Sequence, residues 1–368
     1  MSITSKALPV RDFDYVEFYV GNAKQAAHYY RAVLGFDIKA YQGPETGKRD
    51  CASYLVQQGK ICFILTSPLS SSSEIAAHIQ KHGDGVKDVA FETDDARAAY
   101  QTAIERGATS AYEPIELRDE HGVVVKAGIR TYGDTIHSFV ERKNYNGIFL
   151  PGFVEKASTN GKASYNLGLR AIDHIVGNVG WNEMELWVKF YETVFGFHQF
   201  QNFDDKDIST EYSALRSKVM SNPTERIKMP INEPAHGKKK SQIEEYIQFY
   251  EGAGVQHIAL LTDDIIKTVG DLRARGAEFI SVPEAYYDTL TERVPELREP
   301  MEELKKENIL VDKDEHGYML QIFTKPVEDR PTLFYEVIQR RGSKSFGKGN
   351  FKALFQAIER DQALRGNL

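Results

Sequence analysis

Two stretches of the chain repeat one phrase and decide the fold: "GVKDVAFETDD" at residues 85–95 and "GVQHIALLTDD" at residues 254–264. Each predicts a buried strand followed by Thr-Asp-Asp, and aspartate at this position caps the start of a helix. Each predicted helix ends at an Arg-Gly pair, because glycine after the last apolar turn is a stop signal. The copies differ where Asp88 of the first is replaced by His257 of the second.

Two further pairs of segments recur in the same order. "DFDYVEFYVGNAKQAAHYYRAVLGFDI" (12–38) matches "AIDHIVGNVGWNEMELWVKFYETVFGFHQF" (171–200), and "GDTIHSFVERKNY" (133–145) matches "DRPTLFYEVIQRR" (329–341) more weakly. The first pair predicts a strand followed by an amphipathic helix, and the second predicts a strand with a charged end. Residues 151–168 have a linker-like composition. We expect two related domains, residues 1–155 and 156–368, of α+β class with mostly antiparallel or mixed sheets.

Composition excludes several classes of protein. The chain has 368 residues, 41% of them apolar, and a net charge of −7, which argues against nucleic acid as a partner. Its two cysteines, Cys51 and Cys62, are too few for a disulfide framework and lack metal-site spacing. Neither a signal-like start nor an apolar run of about 18 residues is present, so we expect a cytoplasmic protein without membrane contact. We also expect a homo-oligomer, a dimer or a tetramer.

The second half carries a candidate metal site that the first half lacks. Three positions change chemistry between the aligned halves: His174 stands opposite Tyr15, His257 opposite Asp88, and Glu336 opposite Phe139. Two histidines and one carboxylate on separate strands are the ligand set of a non-haem ferrous site with open coordination positions. The absence of thiolates argues against a structural zinc site. A zinc hydrolase or isomerase can use the same ligands, so the set alone does not choose the metal.

The local patterns predict that the ligands face inward. Alternation places Ile172, His174 and Val176 on one strand face, and Phe334, Glu336 and Ile338 on another. A carboxylate between two large apolar residues is costly unless it finds a partner. A divalent cation supplies that partner.

The C-terminal half closely resembles the 4-hydroxyphenylpyruvate dioxygenase family. The matching phrases include "DHIVGNV", "IKMPINEPAHGKKKSQIEEY", "GAGVQHIAL", "RPTLFYEVIQRRG" and "FGKGNFKALFQAIERDQ", in family order over about residues 165–368. The N-terminal half resembles the family's degenerate first domain more loosely. The resemblance implies a vicinal-oxygen-chelate fold built from paired βαβββ modules, with one Fe²⁺ per subunit held by His174, His257 and Glu336.

The resemblance also implies two groups of substrate contacts. The polar group comprises Ser217, Asn232, Gln242, Gln256 and Gln321. The second group comprises Pro230, Phe323, Phe334, Phe346, Asn350 and Phe351. On sequence alone, Gln242 would look exposed because it follows three lysines, so its assignment rests wholly on the resemblance. The implied substrates are 4-hydroxyphenylpyruvate and O₂. We expect Phe346 and Phe351 to hold the substrate ring between them.

The last helix is a candidate lid. In "NFKALFQAIERDQ" the apolar residues Phe351, Leu354, Phe355 and Ile358 share one helical face. Packing against the domain is the simpler role for such a face. The resemblance implies that the second half forms a cup around Fe²⁺, and we expect the helix also to cover this cup and keep water out.

Three alternatives remain open on the sequence. Hydroxymandelate synthase uses the same substrate and iron but hydroxylates the benzylic carbon, and typically has a smaller aliphatic residue in place of Phe351. Here Phe351 and Pro230 favour ring hydroxylation. An extradiol catechol dioxygenase would share the fold and ligands but lack "PINEP" and "GKGNF". A metal-free binding protein of the same fold would have no reason to keep three ligands in one half.

Overall fold

The computed structural model describes residues 6–156, 166–204, 210 and 212–367. The first half contains β1 (Val10–Tyr19), α1 (Ala23–Ala32), β2 (Asp37–Gln42), β3 (Cys51–Gln58), β4 (Ile61–Pro68), α2 (Glu74–His82), β5 (Gly85–Thr93), α3 (Ala96–Glu105), β6 (Ser110–Asp119), β7 (Gly122–Arg130), β8 (Ile136–Tyr145) and β9 (Val154–Glu155). This order is βαβββ, one helix, and βαβββ again, followed by a short edge strand.

The second half repeats the order. It contains β10 (Leu169–Asn178), α4 (Met184–Phe190), β11 (His198–Phe203), β12 (Ala214–Ser221), β13 (Lys228–Ala235), α5 (Gln242–Tyr250), β14 (Gly254–Thr262), α6 (Ile265–Ala274), α7 (Leu290–Arg293), α8 (Met301–Glu307), β15 (Leu310–Asp314), β16 (Gly317–Phe323), β17 (Phe334–Arg341) and α9 (Phe351–Leu364). The prediction of paired βαβββ modules is therefore confirmed.

Each half forms its own mixed sheet. Among the described residues the first sheet has the order β6-β7-β8-β5-β1-β4-β3-β2-β9, and the second has the order β11-β12-β13-β10-β14-β17-β16-β15. In both sheets the central pair is antiparallel and a parallel pair lies on either side of it. We propose residues 1–155 and 156–368 as the two domains. Most of the predicted linker, residues 157–165, lies outside the described residues.

The repeated Thr-Asp-Asp phrases cap helices as expected. The side chain of Asp95 accepts a hydrogen bond from the backbone N–H of Ala98, and that of Asp264 accepts one from Lys267. Each satisfies a backbone donor that the first helical turn leaves without a partner. Gly107 and Gly276 follow the helices with φ of 94° and 95°, a conformation that favours glycine.

One apolar core joins the two halves. It includes Phe63 and Tyr30 of the first half together with Ile175 and Tyr335 of the second. The rings of Phe63 and Tyr335 stack with centroids 6.1 Å apart. A smaller apolar cluster in the first half includes Tyr15 and Leu55, and another in the second half includes Leu215 and Phe355. No helix in the described part of the chain combines the length and apolar character that crossing a bilayer requires.

Candidate metal centre and substrate cavity

The three predicted metal ligands lie on adjacent strands at the centre of the second sheet. Ala259 of β14 pairs with His174 of β10 on one side and with Glu336 of β17 on the other. His257 stands two residues before Ala259 and therefore shares its face. This register brings residues that are far apart in sequence to one face of one sheet.

The ligand atoms converge at distances that suit a shared ion. Nε2 of His174 is 3.2 Å from Oε2 of Glu336, and Nε2 of His257 is 3.5 Å from the same oxygen. Donor atoms that each bind one ion at about 2.1 Å lie about 3.0 Å apart when they subtend a right angle. One ligand atom from each residue lies within 4.8 Å of the others, and all three side chains are buried. The donor set and its spacing fit a divalent metal ion.

The ionisable side chains of His174, His257 and Glu336, called the trio below, influence one another's pKa values. Burial opposes ionisation of Glu336, but the facing imidazoles of His174 and His257 hold the pKa of its carboxyl below the usual range. Burial lowers the pKa of His257. Burial would also lower the pKa of His174, but the carboxylates of Glu336 and Asp173 raise it. The site therefore presents an ionised carboxylate, as a metal ligand must be.

Each histidine makes a hydrogen bond, through its Nδ1, with the side chain of the residue that precedes it. Nδ1 of His174 lies 2.8 Å from Oδ1 of Asp173, and Nδ1 of His257 lies 3.0 Å from Oε1 of Gln256. Because these oxygens only accept hydrogen bonds, each Nδ1 carries a proton, and Nε2 is the nitrogen that would offer its lone pair to an ion. That is the protonation a metal ligand requires.

Two β-bulges make these contacts possible and correct one prediction. The pairing of β10 with β14 shifts between Ile172 and His174, so Ile172 pairs with Leu260 while His174 pairs with Ala259. Ile172 therefore faces away from His174, and the prediction that they share a face was wrong. A second shift opposite Val176 leaves Gln256 as the extra residue of β14. Bulges re-aim side chains in this way, and spacing alone does not show them.

A cavity opens in front of the trio. Its wall contains most of the predicted contacts: Ser217, Pro230, Asn232, Gln242, Gln256, Phe323, Phe334, Phe346 and Phe351. Phe334 stacks on the His257 ring at 4.8 Å, and Phe346 meets the His174 ring edge-on at 4.8 Å. Aromatic side chains thus border both imidazoles and the cavity.

Two predicted residues lie behind this wall. Gln321 is buried, with its amide close to Gly347, and its Nε2 has no hydrogen-bond partner among the described residues. Asn350 is also buried, and its Oδ1 accepts a hydrogen bond of 2.6 Å from the hydroxyl of Tyr286. Neither borders the cavity, so their roles as substrate contacts stay predictions.

The sequence analysis did not predict some of the residues that line the cavity. Leu215 and Val219 line the cavity on either side of Ser217, and Phe203 lines it from the end of β11. The two-residue spacing of Leu215, Ser217 and Val219 was a usable signal, because alternate residues of a strand share a face. No comparable signal marks Phe203.

The first half has a hydrogen-bonded cluster at the equivalent positions. Asp88 pairs with Ile136 where His257 pairs with Phe334, so the counterpart of Glu336 is Ser138 and the predicted counterpart Phe139 was one residue off. The hydroxyls of Tyr15 and Ser138 donate to Oδ2 of Asp88 at 3.0 and 2.5 Å. Burial raises the pKa of Asp88. This cluster satisfies its own polar groups without an ion.

Comparison with known protein families finds one match in each half of the chain. The family described as "Hydroxyphenylpyruvate dioxygenase, HPPD, N-terminal" matches residues 5–150, and the "Glyoxalase/Bleomycin resistance protein/Dioxygenase superfamily" matches residues 171–322. The 4-hydroxyphenylpyruvate dioxygenase of Yarrowia lipolytica is 54% identical over 100% of this chain and 96% of its own length. That of Caenorhabditis elegans is 52% identical over 97% of this chain and 93% of its own length.

The solved structures include a close relative in shape. A mutant of 4-hydroxymandelate synthase from Streptomyces coelicolor superposes with a TM-score of 0.86 at 31% identity, covering 96% of this chain and 99% of its own. Together with the His-His-Glu cluster, these matches indicate a metal-dependent enzyme with the vicinal-oxygen-chelate fold. By its relatives over the full length, the chain belongs to the 4-hydroxyphenylpyruvate dioxygenase family.

Proposed function

We propose that this chain converts 4-hydroxyphenylpyruvate and O₂ to homogentisate and CO₂, a step in the breakdown of tyrosine and phenylalanine. The overall reaction removes the carboxyl group, hydroxylates the ring and moves the side chain to the neighbouring ring carbon. One observation carries the proposal: the His-His-Glu cluster opens onto a cavity lined by aromatic rings and neutral amides. Such a lining suits a phenol attached to a short 2-oxo acid.

The proposed cofactor is one Fe²⁺ per subunit, held by His174, His257 and Glu336. Two imidazoles and one carboxylate with open positions are typical of non-haem Fe(II) oxygenases. Bound iron supplies chelation of the 2-oxo acid and activation of O₂. The protein orients its ligands, because Asp173 and Gln256 accept the Nδ1 protons and leave both Nε2 atoms as donors to the ion.

Aromatic side chains are proposed to place the substrate ring. Phe346 is held edge-on against His174, and Phe351 packs edge-on against Phe203 with centroids 5.1 Å apart. Both border the cavity, so a flat ring that enters it meets two fixed aromatic surfaces. Fixing the ring beside the reacting centre lowers the entropic cost of reaction.

Polar side chains are proposed to hold the phenol hydroxyl. Asn232 donates its Nδ2 to Asn178 at 3.3 Å, which leaves its carbonyl oxygen as the natural acceptor for that hydroxyl. Gln256 uses its carbonyl oxygen on His257, which leaves its amide N–H groups as donors. Ser217 pairs with Asn232 across β12 and β13, and Gln242 lines the cavity at the start of α5.

The last helix is proposed to exclude water. Leu354, Phe355 and Ile358 of α9 line the cavity and close it on one side. A closed apolar wall protects reactive intermediates from solvent. The homo-oligomeric state, dimer or tetramer, and the cytoplasmic location stay predictions from the sequence.

The test is O₂ uptake by the full chain with Fe²⁺ and 4-hydroxyphenylpyruvate, with product identification by chromatography and mass spectrometry. Homogentisate and equimolar CO₂ are expected. Hydroxymandelate would assign the chain to benzylic hydroxylation, the activity in the name of the Streptomyces relative. No uptake by iron-loaded protein would overturn the proposed substrate.

A further inference from the structure

Asp173 occupies an unusual position relative to the metal ligand that follows it. Neighbouring residues of a regular strand point to opposite faces of the sheet. The bulge between Ile172 and His174 breaks that alternation. As a result, Oδ1 of Asp173 lies 2.8 Å from Nδ1 of the adjacent His174.

Asp173 is itself held by a bidentate salt bridge, called the clamp below. Its partner is Arg340, four residues beyond Glu336 on β17. Nε of Arg340 donates to Oδ2 at 2.8 Å, and its Nη2 donates to Oδ1 at 2.8 Å. Nη1 of Arg340 donates to the backbone carbonyls of Ser343 and Ser345 at 3.2 and 2.7 Å. A two-pronged contact of this kind fixes direction as well as distance. The carboxylate therefore cannot turn away from His174 without breaking two other bonds.

The first half contains the same clamp without the histidine. Nε and Nη2 of Arg142 donate to Oδ2 and Oδ1 of Asp14 at 2.8 and 2.6 Å. Asp14 also lies at a bulge, between Phe13 and Tyr15. The hydroxyl of Tyr15, however, donates to Asp88, and among the described residues no imidazole is hydrogen-bonded to Asp14. The clamp is thus a feature of both halves, and only the second half couples it to a metal ligand.

We propose that Asp173, held by Arg340, is a positioning residue for His174. Its carboxylate accepts the Nδ1 proton, so Nε2 keeps the lone pair that binds the ion, and the ring cannot rotate. This inference rests on the metal site of the proposed function. Residues that orient a ligand histidine in this way tune the affinity of a site for its metal.

The decisive experiment compares matched variants of the full chain, Asp173→Asn and Asp14→Asn. Each weakens one Asp–Arg clamp, so general damage to the fold affects both. Titration of metal-free protein with Co²⁺ alone, followed by its visible absorption, gives the dissociation constant and the ligand field. D173N is expected to bind Co²⁺ about 10- to 100-fold more weakly with an altered spectrum, and D14N to bind it as the wild type does. Equal affinities for D173N and D14N would overturn the proposal.

A measurement on the wild-type protein tests the proposal even if D173N does not fold. In metal-free protein with ¹⁵N-labelled histidine, Nδ1 of His174 is expected to carry a proton, with its signal assigned by loss in H174A. An Nδ1 without a proton contradicts the inference. Because neither readout needs turnover, normal metal results with no homogentisate would count against the proposed function alone.

Discussion

The hydroxyls of Tyr30 and Tyr335 lie 2.5 Å apart in the buried core between the two halves. Tyr30 belongs to α1 of the first half, and Tyr335 precedes Glu336, a proposed metal ligand, on β17. Their rings meet edge-on with centroids 6.2 Å apart. Since alternate residues of a strand point to opposite faces, this contact supports β17 from the side away from the metal site.

Replacing Tyr30 with Phe should destabilise the protein by about 1–3 kcal/mol. The hydroxyl of Tyr335 would remain buried without its partner, which costs more than losing both hydroxyls together. Urea unfolding measures the change, and the double variant Y30F/Y335F should recover part of the loss. Y29F, on the same helix but half-buried, is the control. A Y30F variant as stable as Y29F would contradict the importance of this contact.

Replacing His257 with Ala should remove the metal. The remaining imidazole and carboxylate hold the ion more weakly, and losing a ligand should cost more than the roughly 10- to 100-fold typical of residues behind the ligands. Iron content by elemental analysis and O₂ uptake should both fall close to zero. H316A changes an exposed histidine and should retain both. Stoichiometric iron in a folded H257A protein would disprove the assignment.

Replacing Phe351 with Ile should change the product. Phe351 borders the cavity. By the sequence resemblance, it is the position expected to distinguish ring hydroxylation from benzylic hydroxylation. Losing one hydrophobic contact of this size changes relative barriers by about 1–3 kcal/mol, a shift of about tenfold or more in product ratio. Chromatography with mass detection should show hydroxymandelate beside homogentisate. F355I alters the same wall and should give homogentisate alone, so identical products from both variants would remove the special role of Phe351.

Replacing Arg365 with Ala should loosen α9, the proposed lid. Arg365 donates to both carboxylate oxygens of the buried Glu245 at 3.1 and 2.7 Å, which ties the end of α9 to α5. Bonds to a charged group contribute about 1.5–3 kcal/mol, so amide exchange in α9 should accelerate about 10- to 100-fold. K352A, exposed on the same helix, should leave exchange unchanged.

Removing the chain beyond about residue 345 tests the lid itself. The truncated protein loses Phe346, Phe351 and all of α9, so turnover should cease even where iron still binds. Full turnover by a truncated, iron-containing protein would refute the lid.

The buried His137 should make the protein less stable in mild acid. Nδ1 of His137 donates to the carbonyl of Val89 at 3.0 Å, and Nε2 accepts from the hydroxyl of Tyr191 at 2.7 Å, so the ring is neutral. Burial lowers the pKa of His137 to about 4. The unfolded chain protonates this ring below about pH 6.5, so it binds more protons than the folded protein there.

The free energy of unfolding should therefore fall by about 3 kcal/mol as the pH drops from about 6.5 to about 4. His78, whose pKa burial lowers to about 3, adds to the loss in the same window. Urea unfolding as a function of pH measures the slope. In H137N, which keeps a donor for Val89, the slope should be smaller. Parallel curves for H137N and the wild type would contradict this account.

The repeated segments of the sequence were enough to predict helix caps and the candidate metal ligands. Helix caps such as Asp95 and Asp264 act within four residues of where they stand, so sequence alone located them. The comparison of the two halves singled out His174, His257 and Glu336. At these three positions the second half carries metal-ligating residue types that the first half lacks. The family phrases named most of the cavity wall.

Only the tertiary structure decided which residues meet. Spacing did not reveal the bulge that turns Ile172 away from His174 and brings Asp173 beside it. Nor did it reveal the strand register that makes Ser138 the counterpart of Glu336. Nor could sequence show that Gln321 and Asn350 stand behind the wall while Phe203 forms part of it. The physical reason is that strand register depends on backbone pairing across the sheet, and one extra residue reverses the face of every side chain before it.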